Sequence, residues 1–234
     1  VDVTGQSGLV LTTPNTLSAT FDDYDGDGDL DLFLDHHSAP GREDTETLWR
    51  NMGDGTFESY SIQSGIAGTL LGEDGTGDNL TLTDYTFTPN LSDVDGDGDR
   101  DLLMAADYGT SQVFINEGNG TFTRTTDKAV ITDEAGMGAA VGDYDNDGDM
   151  DWFVSSIYGG DLTGNRLYRN DGNGVFEDVT VAAGVDHGFW GWGSCFADFD
   201  NDGYLDIFHV NGFFLSGFED DPVRFFHANG DGTF

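Results

Sequence analysis

The stretch "FDDYDGDGDLDLFL", Phe21 to Leu34, decides the fold. Its first eleven residues carry six Asp, and its last three are Leu32, Phe33 and Leu34, an apolar run of the kind that fills a buried strand. Carboxylates this dense repel one another, so a chain that sets them beside its core needs a partner for them. The stretch recurs as "LSDVDGDGDRDLLM" from Leu91, "VGDYDNDGDMDWFV" from Val141 and "FADFDNDGYLDIFH" from Phe196. A second block follows each copy: "LWRNMGDGTFESYS", "VFINEGNGTFTRTT", "LYRNDGNGVFEDVT" and, last, "FFHANGDGTF". Self-similarity at a period of 50 to 70 residues predicts a solenoid, a propeller or an array.

Each unit reads as β. An apolar, Gly-rich run comes first (Ala139 to Gly142; Gly191 to Ala197), then the Asp loop, then a short strand such as Leu32–Leu34 or Ile207–His209. A strand like Leu167–Arg169 follows, and the alternating "VFEDVT" closes the unit. The Asn-Gly and Asp-Gly segments between the last two strands suit type I′ hairpin turns. Four short antiparallel strands per unit make a propeller blade. The expected fold is therefore an all-β propeller, one domain over 1–234, with repeats at approximately 12–62, 63–128, 129–182, and 183–234 plus 1–11. The first interval carries a polar insertion, "GTLLGEDGTGDN" (Gly68 to Asn79), before an alternating "LTLTDYTF". Such insertions usually sit on one face and often carry binding.

The ends fit each other. Aligning Phe234 with Phe176 sets Val1 opposite Glu177, Asp2 opposite Asp178 and Thr4 opposite Thr180. The last blade thus lacks its final strand, and the first residues read as that strand. Three arrangements satisfy this: closure within one chain, donation to the last blade of a neighbouring copy, or membership of a longer array. Closure and head-to-tail donation both remove an exposed sheet edge, and donation that does not close makes a filament.

The Asp loop has hard oxygen donors at alternating positions. They are Asp23, Asp25, Asp27 and Asp31; Asp93, Asp95, Asp97 and Asp101; Asp143, Asp145, Asp147 and Asp151; and Asp198, Asp200, Asp202 and Asp206. Position six is always Gly (Gly28, Gly98, Gly148, Gly203), as a sharp bend around an ion requires. Position seven would offer its carbonyl, so its side chain varies: Asp29, Asp99, Asp149, Tyr204. Carboxylates, a carbonyl and water suit Ca²⁺, about four ions, one per repeat. Zinc would want Cys or His. An EF-hand would need Glu at position twelve, where Leu34, Met104, Val154 and His209 stand.

Composition narrows the function further. Asp and Glu number 45 against 8 Lys and Arg, a formal charge of −37, which argues against nucleic acid and anionic membranes as partners. The 18 Phe argue for a packed core, and the single Cys195 rules out an intrachain disulfide framework. No apolar run reaches membrane-spanning length, so no membrane insertion is expected. Val1 in place of Met reads as a processed end or a cut in a longer chain.

The Asp loop followed by "LYRNDGNGVFEDVT" resembles the FG-GAP/VCBS repeat family, whose repeats occur in integrin α-subunits and cartilage acidic protein. The resemblance covers nearly the whole chain in four copies. It implies β-propeller blades with Ca²⁺ in the loop between the first two strands, held by the Asp sets above. Family propellers commonly have seven or eight blades, and the four copies here depart from that.

These readings imply a non-enzymatic, calcium-binding extracellular or secreted propeller, structural or adhesive, that self-associates head to tail through complementary ends. The alternative is a ligand-binding or enzymatic propeller, taking a protein or carbohydrate through loops such as 36–47, 68–79 and 155–165. Sharper candidates are few. Adjacent His36 and His37 face opposite ways on a strand. Cys195 reads as a buried small residue. "HGFWGWGS" (His187 to Ser194) reads as packing between blades rather than a sugar platform, and Arg166 and Arg169 as partners of local Asp.

Overall fold

A computed structural model describes residues 2–10, 15–37, 48–70, 85–214 and 217–234. Short strands dominate, because β-branched and aromatic residues alternate between Gly-rich turns. The first blade is β1 (Thr16–Asp22), β2 (Asp31–His36), β3 (Leu48–Asn51) and β4 (Phe57–Ser59), paired in that order and antiparallel. After the five-residue α1 (Ile66–Leu70), the second blade repeats the order with β5 (Thr86–Ser92), β6 (Asp101–Ala106), β7 (Gln112–Asn116) and β8 (Phe122–Arg124). The third uses β9 (Ala139–Gly142) and β10 (Asp151–Val154). A small hairpin of β11 (Tyr158–Gly159) and β12 (Leu162–Thr163) intervenes before β13 (Arg166–Asn170) and β14 (Phe176–Asp178). A four-residue α2 (Thr180–Ala183) leads to β15 (Gly191–Ala197), β16 (Asp206–Asn211) and β17 (Arg224–Phe226). The architecture is the expected four-blade β-propeller arrangement.

Innermost strands pack in sequence, β1 on β5, β5 on β9 and β9 on β15. Among the described residues no comparable packing joins β15 to β1. The fourth blade shows three strands. The expected completing strand falls on Val1, outside the described residues, and on Asp2 and Val3, which carry no strand. Residues 2–8 instead repeat the link that leaves the third blade. Asp2 accepts hydrogen bonds from the N–H and hydroxyl of Thr4, as Asp178 does from Thr180. The Ser7 carbonyl then accepts the Phe57 N–H at 2.7 Å, just as Ala183 accepts that of Phe234 at 2.9 Å.

Two expectations shift in detail. The "VFEDVT" strand stops at Asp178, because Thr180 turns back onto the Asp178 carboxylate and begins α2. The outer hairpins are not two-residue turns. The N–H of Met52 reaches the Thr56 carbonyl (2.9 Å), closing a three-residue loop, and Glu117–Thr121, Asp171–Val175 and Asn229–Thr233 repeat it. Asp54 stabilises this form by accepting from both the N–H and hydroxyl of Thr56. The "LTLTDYTF" strand is described only from Tyr85, which bridges His37. Residues 71–79 of loop 68–79 and residues 38–47 of loop 36–47 lie outside the described residues.

The core sits between blades. Each junction joins a trailing half-set from one blade to a leading half-set from the next. Tyr24, Phe33 and Leu48 meet Leu102, Met104, Phe114 and Phe122. Val94, Leu103 and Val113 meet Trp152, Val154, Tyr168 and Phe176. Tyr144, Phe153 and Leu167 meet Ile207, Phe226 and Phe234. The first blade's leading set, Leu32, Leu34, Trp49 and Phe57, packs under Leu9.

Candidate metal centres

The four Asp loops share one hydrogen-bond pattern. The first Asp accepts the N–H of the position-six Gly: Gly28 to Asp23 at 2.9 Å, Gly98 to Asp93 at 3.0 Å, Gly148 to Asp143 at 3.1 Å and Gly203 to Asp198 at 3.0 Å. Those glycines have φ of 95°, 99°, 100° and 94°, the left-handed region that disfavours side chains. The position-five N–H bonds the third-position carboxylate in every loop, as in Asp27 to Asp25 and Asp202 to Asp200. These bonds wind the chain so that donors converge at positions one, three and five in the first loop and at one, three and nine in the second and third.

The ninth-position Asp anchors the loop to the sheet. Asp31 accepts from the N–H of Tyr24 and of Asn51, and Asp101, Asp151 and Asp206 do the same with Val94 and Asn116, Tyr144 and Asn170, and Phe199 and Ala228. All four are buried. Burial pushes Asp31 and Asp101 up to about 6 and Asp151 up to about 7, against the pull of these hydrogen bonds and with help from neighbouring Asp charges. Asp25, Asp95 and Asp145 are also raised, first by burial. The protein therefore holds carboxylates whose ionised form is penalised, and a bound cation would offset that penalty.

Carboxylate oxygens gather within 4.8 Å of one another at Asp23, Asp25 and Asp27; at Asp93, Asp95 and Asp101; and at Asp143, Asp145 and Asp151. In the fourth blade the set is Asp200, Asp202 and His227. Each could hold a metal ion, and the first three offer oxygen only, the donor chemistry of a hard cation. In the first and fourth blades a residue at the end of the third strand leans on the loop, and it differs between them. Arg50 pairs with Asp25 at 2.6 Å and Asp27 at 3.2 Å, whereas His227 meets Asp200 at 2.9 Å. Sequence spacing did not reveal His227, since strand pairing alone brings it to the loop.

The position-seven side chains point away from the donors. Asp29, Asp99, Asp149 and Tyr204 lie over Gly53, Gly118, Gly172 and Gly230, which leaves no room for a Cβ on those glycines. Among the other candidates, Cys195 is exposed on β15, not buried as expected, because the inner strand of this blade alternates toward solvent. Arg169 pairs with Glu177, and Arg166 with Glu134 and Asp178. His36 is buried in β2 beside Thr16 (3.1 Å), while His37 stacks near Phe87 at 4.5 Å. Trp192 spans blades, reaching Phe87 at 6.0 Å, in keeping with a packing role. No helix among the described residues is long and apolar enough to cross a membrane.

Comparison with known proteins agrees with this geometry. A family model described as an FG-GAP-like repeat matches residues 93–154 and 156–209. Cartilage acidic protein 1 of Homo sapiens is 23% identical over 208 residues, 85% of this chain and 28% of that protein. The Mus musculus protein is 28% identical over 206 residues, with the same coverage. The chain thus spans just over a quarter of the length of these relatives. In structure, an Agrocybe aegerita lectin that recognises non-reducing terminal N-acetylglucosamine matches 94% of this chain and 51% of its own, at TM-score 0.53 and 19% identity, a likeness of fold. With its repeated Asp loops and its four-blade arrangement, the chain carries FG-GAP-like repeats, matched over residues 93–154 and 156–209.

Proposed function

We propose that this chain is a non-enzymatic, calcium-stapled propeller unit, one domain over 1–234, that works outside cells in a structural or adhesive role and associates head to tail through its ends. The loop bonds common to all four repeats carry the reading. Four loops with one winding and left-handed Gly at the same place suit one ion type, with Asp at positions one, three, five and nine and the carbonyls of Asp29, Asp99, Asp149 and Tyr204 as ligands. Extracellular calcium modules have Kd values of about 10⁻⁴–10⁻³ M, so such loops fill outside cells and empty inside. An ion that binds only the native state adds about 2.7 kcal/mol per site at a hundredfold excess over Kd.

A second reading, carbohydrate binding, draws on the lectin's fold and on a cavity of ≈580 Å³ lined by Tyr158, Leu162, Arg166, Asp178 and Asp186. One thermal-melt series separates the two. Calcium should raise Tm by many degrees over EDTA, with N-acetylglucosamine adding nothing. An EDTA melt equal to the calcium melt overturns the first reading, and a saturable shift with the sugar supports the second.

A further inference from the structure

The trailing half-set of the fourth blade is Phe199, Phe208 and Phe225. These rings pack on one another, with centroids 5.2 Å apart for Phe199 and Phe225 and 6.5 Å for Phe199 and Phe208. Yet Phe199 is 50% and Phe225 49% exposed, whereas Tyr24, Val94 and Tyr144, at the Phe199 position of the other blades, are at most 4% exposed. The leading edge of the first blade is open in the same way. Phe21 is 56% and Leu30 57% exposed. At the third junction their counterparts, Phe196 and Leu205, both close on Gly142, and Phe196 reaches Phe153 at 6.3 Å. The two open faces are thus the two halves of one more junction of the kind the molecule already makes three times.

We propose that the trailing face of blade four receives the leading face of blade one from a second copy of this chain, in the register of the internal junctions. The proposal deepens the head-to-tail part of the reading above and is independent of calcium. The register names the contacts. Phe21 lies on Phe208, as Phe196 lies on Phe153. Leu30 meets Ala197; the same pair of positions holds Arg100 on Asp22 (3.3 Å) at the first junction and Leu205 on Gly142 at the third. Leu against Ala is the apolar version of that pair. Asn51 donates its Nδ2 to the Phe199 carbonyl, as Asn116 does to Tyr24 (2.8 Å) and Asn170 to Val94 (2.7 Å). Leu9 already covers Leu32, Leu34 and Trp49 in the place that Ile66 and Val185 take at internal junctions. Because the contact repeats the internal rotation, it turns about the propeller axis and adds toward closure.

Sedimentation of the 234-residue chain in calcium and moderate salt tests this. The wild type should have the mass of two chains. Phe225→Asp and Phe21→Asp should each halve the mass, since each spoils one face. Mixing the two variants should restore a two-chain species, because one keeps its leading face and the other its trailing face. A wild type that stays monomeric at all concentrations, a variant that still dimerises alone, or a mixture that stays monomeric overturns the proposal. Circular dichroism and calcium calorimetry on the variants separate this from the loop reading: calcium binding retained with association lost at both faces supports the interface and leaves the loops intact.

Discussion

His209 occupies the place in β16 that Leu34, Met104 and Val154 hold in the other blades, a core position. It is fully buried, with Nε2 3.3 Å from the Asn165 Nδ2, which donates to it. Burial first, and then the charge of Arg224, push its pKa down from 6.5 to about 4. A depressed pKa means that the unfolded chain takes the proton more readily. The stability this implies is complete above pH 6.5 and is lost as pH falls through about 4. In the metal-free protein Asp31, Asp101 and Asp151 act with the opposite sign, since their raised pKa values favour the folded state as they protonate. A difference between two proteins cancels the carboxylates. His209→Leu should therefore escape about 3 kcal/mol of acid destabilisation between pH 6.5 and 4 relative to wild type. Urea unfolding across that range measures it, and a pH-independent difference would refute the assignment.

At the scale of the element, glycines that look alike in sequence have different work. Gly138 precedes β9, and a Cβ there would run into the Trp192 carbonyl of the next blade's inner strand. Gly193, on that strand, faces open space without a left-handed backbone. Gly138→Ala should cost about 2–3 kcal/mol by forcing two blades apart, and Gly193→Ala should be close to neutral. Chemical denaturation of the two variants decides it; equal midpoints would contradict the close approach. The same contrast shows what sequence could reveal. Repetition exposed the Asp loops and blade count, since Asp23, Asp93, Asp143 and Asp198 recur with fixed neighbours. It did not sort Leu32 from Phe33, because both strand faces are apolar when both lie between blades. His227 and the glycines under position seven were also hidden. Only the pairing of the second and third strands brings them to the loop.

For the molecule as a whole, the formal charge of −37 is a large term opposing the compact state. Without cations the four loops concentrate that charge and self-repulsion opposes compaction. Sodium chloride screens exposed charges over about 10 Å at 0.1 M and should therefore stabilise the metal-free protein, by about 1–2 kcal/mol or roughly 3–6 °C in Tm between low and moderate salt. With calcium bound the gain should shrink, because specific neutralisation replaces screening. A calorimetric melt series in salt, with and without EDTA, reads both; identical salt slopes would argue against cation sites.

One residue also sets an order among the blades. Asn116 and Asn170 each donate a side-chain N–H across a junction to the preceding Asp loop, but Ala228 stands in the equivalent place in blade four and has no side-chain amide. Asn146 does donate across this junction to the Gly203 carbonyl at 3.0 Å, but the buried bond to the loop is missing. Repeat architectures come apart at their weakest interface, one unit at a time. Blade four is therefore expected to open first, read by hydrogen exchange as faster loss of its amide protons than in the first three blades; equal exchange in all four would contradict it.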